Sequence, residues 1–280
     1  MIDSVSPAVV DRGPGDPEIA LVGGVHGDEP SGVRAIRNLL DDGLEFERGV
    51  RFIIANPPAF AANERFLDTD LNRVFPGDVE APERERRLAA QLCELTGGLP
   101  TLSLHSTHSH PDPIALVAFD DDVAHIAANL PVSDIVDETS TIDGAFTDCS
   151  SVITVEAGCQ HTEEATETAT EQARAFLAVT DAIDESVPDS EATFYRLDEK
   201  VEKPSDAAYD LRVENFETVE AGTTYATAGD ESFVADRPFV PILMSECGYE
   251  DVFGYKGSTV GTSLEEARRE LTEDAESRAQ

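Results

Sequence analysis

Four residues pair a metal-ligating or proton-transferring side chain with a position at the end of an apolar run: His26, Glu29, His105 and Glu156. In Gly23-Gly-Val-His-Gly-Asp-Glu29 an imidazole and a carboxylate stand three residues apart on a Gly-rich turn. His105 closes Thr101-Leu-Ser-Leu-His105, far along the chain. Two imidazoles and a carboxylate with an open fourth position form the ligand set of a hydrolytic zinc site. These three are therefore candidate ligands for one Zn²⁺ per chain, and Glu156 would remain outside the metal shell as a general base. A carboxylate among Val152, Ile153 and Val155 is costly unless it is paired or lies at an open strand end. Plainer readings exist. The turn alone could be a polar loop with Glu29 near a helix N-terminus, and His105 alone could be hydrogen-bonded scaffolding.

The segment Asn63-Glu-Arg-Phe-Leu-Asp-Thr-Asp-Leu-Asn-Arg-Val-Phe-Pro-Gly77 adds Arg65, Asn72 and Arg73. Guanidinium forks bind carboxylates bidentately and stabilise developing oxyanions. An exposed charged loop is the alternative, but cations are scarce in this chain: Asp plus Glu number 57 against 20 Lys plus Arg, a formal charge of −37. Acid spread over the whole length repels nucleic acid and anionic membrane. Molar salt shortens the Debye length to about 3 Å and screens the self-repulsion. This composition predicts a cytoplasmic protein of a high-salt cell. No apolar run approaches the roughly 18 residues of a membrane span, and Met1–Pro7 lacks the basic start of a signal peptide. Cys93, Cys149, Cys159 and Cys247 show no paired spacing, so reduced, mostly buried thiols are expected.

Short apolar runs and helical stripes must position these residues. Ile19–His26, Arg51–Ala55, Thr101–His105, Pro113–Phe119 and Ser151–Glu156 read as strands. Helices are expected from Pro30 to Gly43, from Pro82 to Gly97, and from Glu163 to about Ile183. Strands alternating with helices predict an α/β fold with a mostly parallel or mixed sheet flanked by helices. The candidate residues then collect outside the carboxyl ends of the strands, where such sheets bind ligands. At roughly 150 residues per domain, 280 residues allow about two domains. Beyond a linker-like stretch at 185–191 the pattern turns to β, with a final helix opening at Ser263. The expected division is residues 1–185 and a smaller β-rich unit at 186–280.

His26-Gly-Asp-Glu29, Asp70-Leu-Asn-Arg73, Leu104-His-Ser-Thr107 and Val155-Glu-Ala-Gly158, in this order, resemble the succinylglutamate desuccinylase/aspartoacylase family. The resemblance implies a zinc-carboxypeptidase-like domain and deacylation of an N-acyl amino acid or similar small amide. It makes His26, Glu29 and His105 the zinc ligands, Glu156 the acid/base and Arg65 the residue that polarises the scissile carbonyl. Asn72 and Arg73 would hold the substrate carboxylate. Glu246-Cys-Gly-Tyr249 resembles a segment whose tyrosine, here Tyr249, reaches the substrate. Two departures stand out. Ser103 occupies the place of an acidic residue that supports the last histidine, and Gly144–Ser151 lacks an arginine that would read a second substrate carboxylate. His108 and His110 follow the ligand motif; a His-rich loop is the plainer reading, and contact of either with metal or substrate is the other. A peptide-cleaving zinc carboxypeptidase and an inert metal- or small-molecule-binding homologue are the rival readings.

Overall fold

The computed structural model describes residues 6–139, 144–148, 151–188, 190–203, 207–247 and 252–278. In the first half the elements are β1 (Ala8–Arg12), β2 (Pro17–Gly23), α1 (Pro30–Asp41), β3 (Gly49–Ile54), α2 (Pro57–Ala62), α3 (Arg84–Thr96) and β4 (Thr101–Thr107). Then come β5 (Ile114–Leu116), α4 (Ala124–Ala127), β6 (Asp134–Asp137), β7 (Val152–Cys159) and α5 (Glu163–Val179). The last third holds β8 (Thr193–Glu202), β9 (Tyr209–Leu211), β10 (Thr224–Ala228), β11 (Glu231–Val234), β12 (Val240–Ile242), β13 (Val252–Gly261) and α6 (Leu264–Arg278).

Ten strands form one sheet in the order β1-β3-β2-β4-β7-β5-β6-β8-β13-β12, and β11-β10-β9 form a second. The sheet is mixed. β3, β2, β4 and β7 run parallel, β5 opposes β7, and β5, β6 and β8 are parallel to one another. One face is covered by α1 and α5, whose Ile36, Leu39, Phe176 and Leu177 join Leu21, Leu102, Leu104, Ile153 and Val155 in the main core. The other face packs Leu88 and Leu92 of α3 on Val22, Ile53, Leu71, Phe75 and Phe146. Helix α1 lies against the strands at glycine contacts. A Cβ at Gly32 would stand 2.6 Å from the Leu104 carbonyl oxygen, and one at Gly23 2.6 Å from the Gly32 carbonyl carbon. Any side chain there would lift the helix and the Glu29 turn that leads into it.

Three features differ from the sequence expectations. The sheet does not stop at the linker-like stretch: β8 pairs in parallel with β6, and β13 and β12 extend the same sheet, so only β9–β11 stand apart. Strand β13 escapes a pattern search because Gly254, Gly257 and Gly261 interrupt it. Finally, Cys93 is disulfide-bonded, which corrects the expectation of reduced thiols throughout, whereas Cys159 and Cys247 are free. Spacing along the chain carries no information about which segments the fold brings within bonding reach. Among the described residues no helix is long and apolar enough to cross a membrane.

Candidate active site

The carboxyl ends of β2, β4 and β7 meet at the site. Gly24, at φ +70°, turns the chain after β2 and leads to His26. In β4 the side chains alternate, so Leu102 and Leu104 enter the main core while Ser103 and His105 share the opposite face. Glu156 of β7 lies beside His105 in the parallel register.

Glu29 sits between the two imidazoles. Its Oε1 lies 2.7 Å from His26 Nδ1 and 3.2 Å from Arg65 Nη1. Its Oε2 lies 3.0 Å from His105 Nδ1 and accepts the Ser106 N–H at 3.3 Å. The rings cross edge to face with centroids 5.2 Å apart. Behind them, His26 Nε2 faces Asp70 Oδ1 and His105 Nε2 faces Ser103 Oγ, both at 3.1 Å. Both ring nitrogens of His26 thus face carboxylate oxygens: Asp70 stands behind the ring at Nε2, where such a partner orients an imidazole, and Nδ1 is the nitrogen turned toward Glu29.

All three residues are buried, and each offers one ligand atom within 4.8 Å of the others. A tetrahedral ion with bonds of about 2.0–2.2 Å separates its ligand atoms by about 3.4 Å. The observed Nδ1–Oε distances would need to open by well under an ångström to admit it. The charges favour a cation. Burial by itself would push the Glu29 carboxyl up, but His26 and His105 outweigh it and hold the carboxyl well below the usual range. Burial likewise opposes charge on His26, yet Glu29 and Asp70 raise its pKa to about 9.

A family model described as the succinylglutamate desuccinylase/aspartoacylase catalytic domain matches residues 15–183, more than half of the chain. The chain belongs to this family of deacylases. Aspartoacylase of Xenopus tropicalis is 44% identical over 63 residues, 21% of this chain and 20% of that protein. Succinylglutamate desuccinylase of Idiomarina loihiensis is 33% identical over 91 residues, 29% of this chain and 25% of that protein. These alignments thus span a quarter or less of the relatives' lengths. The crystal structure of a succinylglutamate desuccinylase/aspartoacylase from Rhodobacter sphaeroides matches with a TM-score of 0.74 and 19% identity, covering 90% of this chain and 89% of that one. At that identity the likeness is one of fold.

Beside the His26–Glu29–His105 group, Glu156 has an Oε2 that is shielded from solvent and takes no hydrogen bond. Burial, then the charge of Glu29, lift its carboxyl to about 7 against the pull of His105, His26 and Arg65. Arg65 is held by two carboxylates, Glu29 through Nη1 and Asp70 through Nε at 3.1 Å. Asn72 and Arg73 fall in a short 3₁₀ turn (Leu71–Arg73) whose N-cap, Asp70, accepts the Asn72 N–H at 2.9 Å. The Asn72 side-chain carbonyl accepts the Phe146 N–H at 2.9 Å, so its amide NH₂ is directed elsewhere. Arg73 is exposed beside it. Tyr249 lies outside the described residues. His110 stands apart from the His26–Glu29–His105 group; its ring packs edge to face on Phe216, with centroids 5.1 Å apart. The His108 carbonyl accepts from the Ser245 hydroxyl at 3.5 Å.

Sequence reasoning missed two residues that hold this arrangement. Asp70 ties His26, Arg65 and the 3₁₀ turn together, and its clue was its place three residues before Arg73 in the quoted motif. Glu85 of α3 is fully buried and accepts the N–H groups of Leu67, Asp68 and Thr69 at 2.8, 3.1 and 3.3 Å. It also accepts from the Asn56 side chain at 3.2 Å. A legible signal existed: Glu85 shares the helical stripe of Leu88 and Leu92, an unusual place for an acid. Ser103, read as a departure, supplies His105 with a hydroxyl partner where a carboxylate was expected.

Proposed function

We propose that this protein is a zinc-dependent amidohydrolase that removes the acyl group from an N-acyl amino acid or similar small amide. The observation that carries this reading is a buried carboxylate flanked by two imidazoles, with the unpartnered Oε2 of Glu156 on the neighbouring strand. His26 and His105 through Nδ1, with Glu29, would hold the ion. When bound, zinc supplies Lewis acidity, which acidifies water and polarises a carbonyl.

The chain's own groups do the rest. Glu156 takes the proton of the attacking water on Oε2 and returns it to the nitrogen of the leaving amine. Arg65, aligned by Glu29 and Asp70, places positive charge where the carbonyl oxygen becomes negative. Arg73 and the NH₂ of Asn72 bind the carboxylate of the amino-acid half and fix the distance to the scissile amide. Asn215 donates to the Ser109 and Met244 carbonyls and accepts the Met244 N–H, all at 2.9 Å, and so fastens the segment after β9 onto the loop following His105. Were this segment to close over the site, small substrates would be favoured over peptides.

The test is a zinc-loaded screen at molar salt of N-acyl amino acids beside a peptide panel, with metal analysis. One zinc per chain, turnover of N-acyl amino acids and its loss in His26→Ala together with the metal are expected. Hydrolysis of peptides alone would overturn the reading, as would full activity after chelation. Ser103→Ala should weaken zinc binding about 10-fold or more, because the histidine it orients loses its partner. Competition with a chromogenic chelator measures this, and an unchanged affinity would remove Ser103 from the scheme.

A further inference from the structure

Strand β1 ends the ten-stranded sheet and, among the described residues, pairs on one side only, antiparallel with β3. The other end of that sheet is covered. In β12 the Pro241 carbonyl accepts the Phe216 N–H at 2.9 Å, and next to it Val219 and Phe239 exchange backbone hydrogen bonds of 2.8 and 3.1 Å. Along β1, by contrast, Ala8, Val9, Asp11 and Arg12 are exposed and Val10 is half-buried. An open edge presents a row of unpaired N–H and C=O groups that a further strand can satisfy.

Proteins blunt such edges with charge, proline or a covering loop. Here charge stands at one end of the strand only. Asp11 is already engaged within the chain, because Nε and Nη2 of Arg51 each lie 2.9 Å from one of its carboxylate oxygens. Ser4–Val10 carries no charge at all, in a chain of 57 acids and 20 bases. On the face of the sheet that carries α3, Val9 is 38% exposed. It borders a cavity of about 410 Å³ shared with Pro7, Gln91, Glu94 and Leu95.

The charge pattern selects the occupant. A net charge of −37 makes most of one copy's surface repel most of another's. An uncharged edge meeting its own counterpart escapes that repulsion. Antiparallel pairing sets Asp11 and Arg12 of each strand beside the uncharged end of the other, whereas parallel pairing in register would stack like charges. A two-fold axis produces the antiparallel arrangement, and it brings the two cavities to the same face, each beside the partner's apolar side chains.

We propose that β1 is a self-association surface at which two copies of this chain join their edges antiparallel about a two-fold axis, merging their large sheets into one. β3 separates β1 from the strands whose carboxyl ends form the candidate active site, so the inference is independent of the deacylase reading. Five residues a side make a small interface, and the dissociation constant should fall at about 1–100 μM.

Sedimentation equilibrium of the full chain at molar salt, over a concentration series spanning that range, tests the proposal. The mass should climb from that of one chain toward that of two. Val9→Lys sets an ammonium group from each copy at the shared edge and should weaken association at least about 10-fold. Its thermal melting should match that of the natural protein, which separates loss of the contact from loss of the fold. Val234→Lys is the control: it alters another exposed valine, on the edge of the small sheet, and should leave association unchanged. Hydrogen exchange gives a second readout on the natural protein, in which the β1 amides that point away from β3 should be protected at high concentration and exchange freely when dilute. A mass that stays at one chain, association undiminished in Val9→Lys, or dissociation caused by Val234→Lys would overturn the proposal. If Val9→Lys melts early, the exchange comparison decides, and equal exchange of β1 at both concentrations would count against it.

Discussion

Glu156→Gln should lower kcat by about 10²- to 10⁴-fold while the protein keeps one zinc per chain and its fold. Glutamine preserves the size of the side chain and can still accept at one oxygen, but it cannot take a proton from water and deliver it to a leaving amine. The metal should stay because Glu156 makes no hydrogen bond to His26, Glu29 or His105; its influence on them is electrostatic. Removing a negative charge beside a cluster that already holds Glu29 trims the attraction for a dication but leaves its three donors in place. The fold should hold as well, since a buried carboxylate with an unpartnered oxygen is a cost that a neutral amide relieves. The informative quantity is kcat measured against bound zinc in one preparation. Turnover near that of the natural protein with zinc in place would eliminate Glu156 as the acid/base, and loss of the metal would make it part of the ion's support instead.

Much of this site could be read from the sequence because its members sit where strand patterns end. The alternation Leu102, Leu104 against Ser103, His105 fixes which face the histidine takes, and a period of two leaves no latitude. Glu156 was legible because it breaks an apolar run. The helical entry at Pro30 places Glu29 at a turn between β2 and α1. What eluded the pattern is held by contacts between distant segments. Glu85 binds backbone groups of a loop that precedes it by 16 to 18 residues, and backbone donors leave no mark in sequence. Ser103 looked like a missing acid because the expectation concerned charge, while the ring needs only a partner at Nε2. Strand β6 is four residues long and β13 carries three glycines, so neither presents a run that periodicity can detect. The ten-stranded sheet therefore reaches further along the chain than composition suggests.

Glu85→Ala should cost about 2–4 kcal/mol of stability, an effect that belongs to scaffolding and still reaches the chemistry. The carboxylate is the common acceptor for three consecutive backbone N–H groups, Leu67 to Thr69, and for the Asn56 amide that caps α2 through Ala59. Alanine leaves these donors facing a cavity, and water can repair only part of the loss because Asn56 is fully buried. For a chain of this size the change corresponds to a fall in Tm of roughly 5–10 °C. The loop released by the substitution carries Arg65 at one end and Asp70 at the other. Losing Asp70 from its place frees the Nε2 of His26 and with it the ring orientation, so zinc affinity should drop about 10- to 100-fold alongside stability. Glu85→Gln separates the two effects of charge and shape: it keeps one accepting oxygen and fills the space, and should recover part of both losses. Thermal melts at molar salt, paired with chelator competition on the same samples, provide the measurement. If Tm falls while zinc affinity stays constant, the loop holds Asp70 without help from α3; if neither moves, Glu85 has no part in shaping the site.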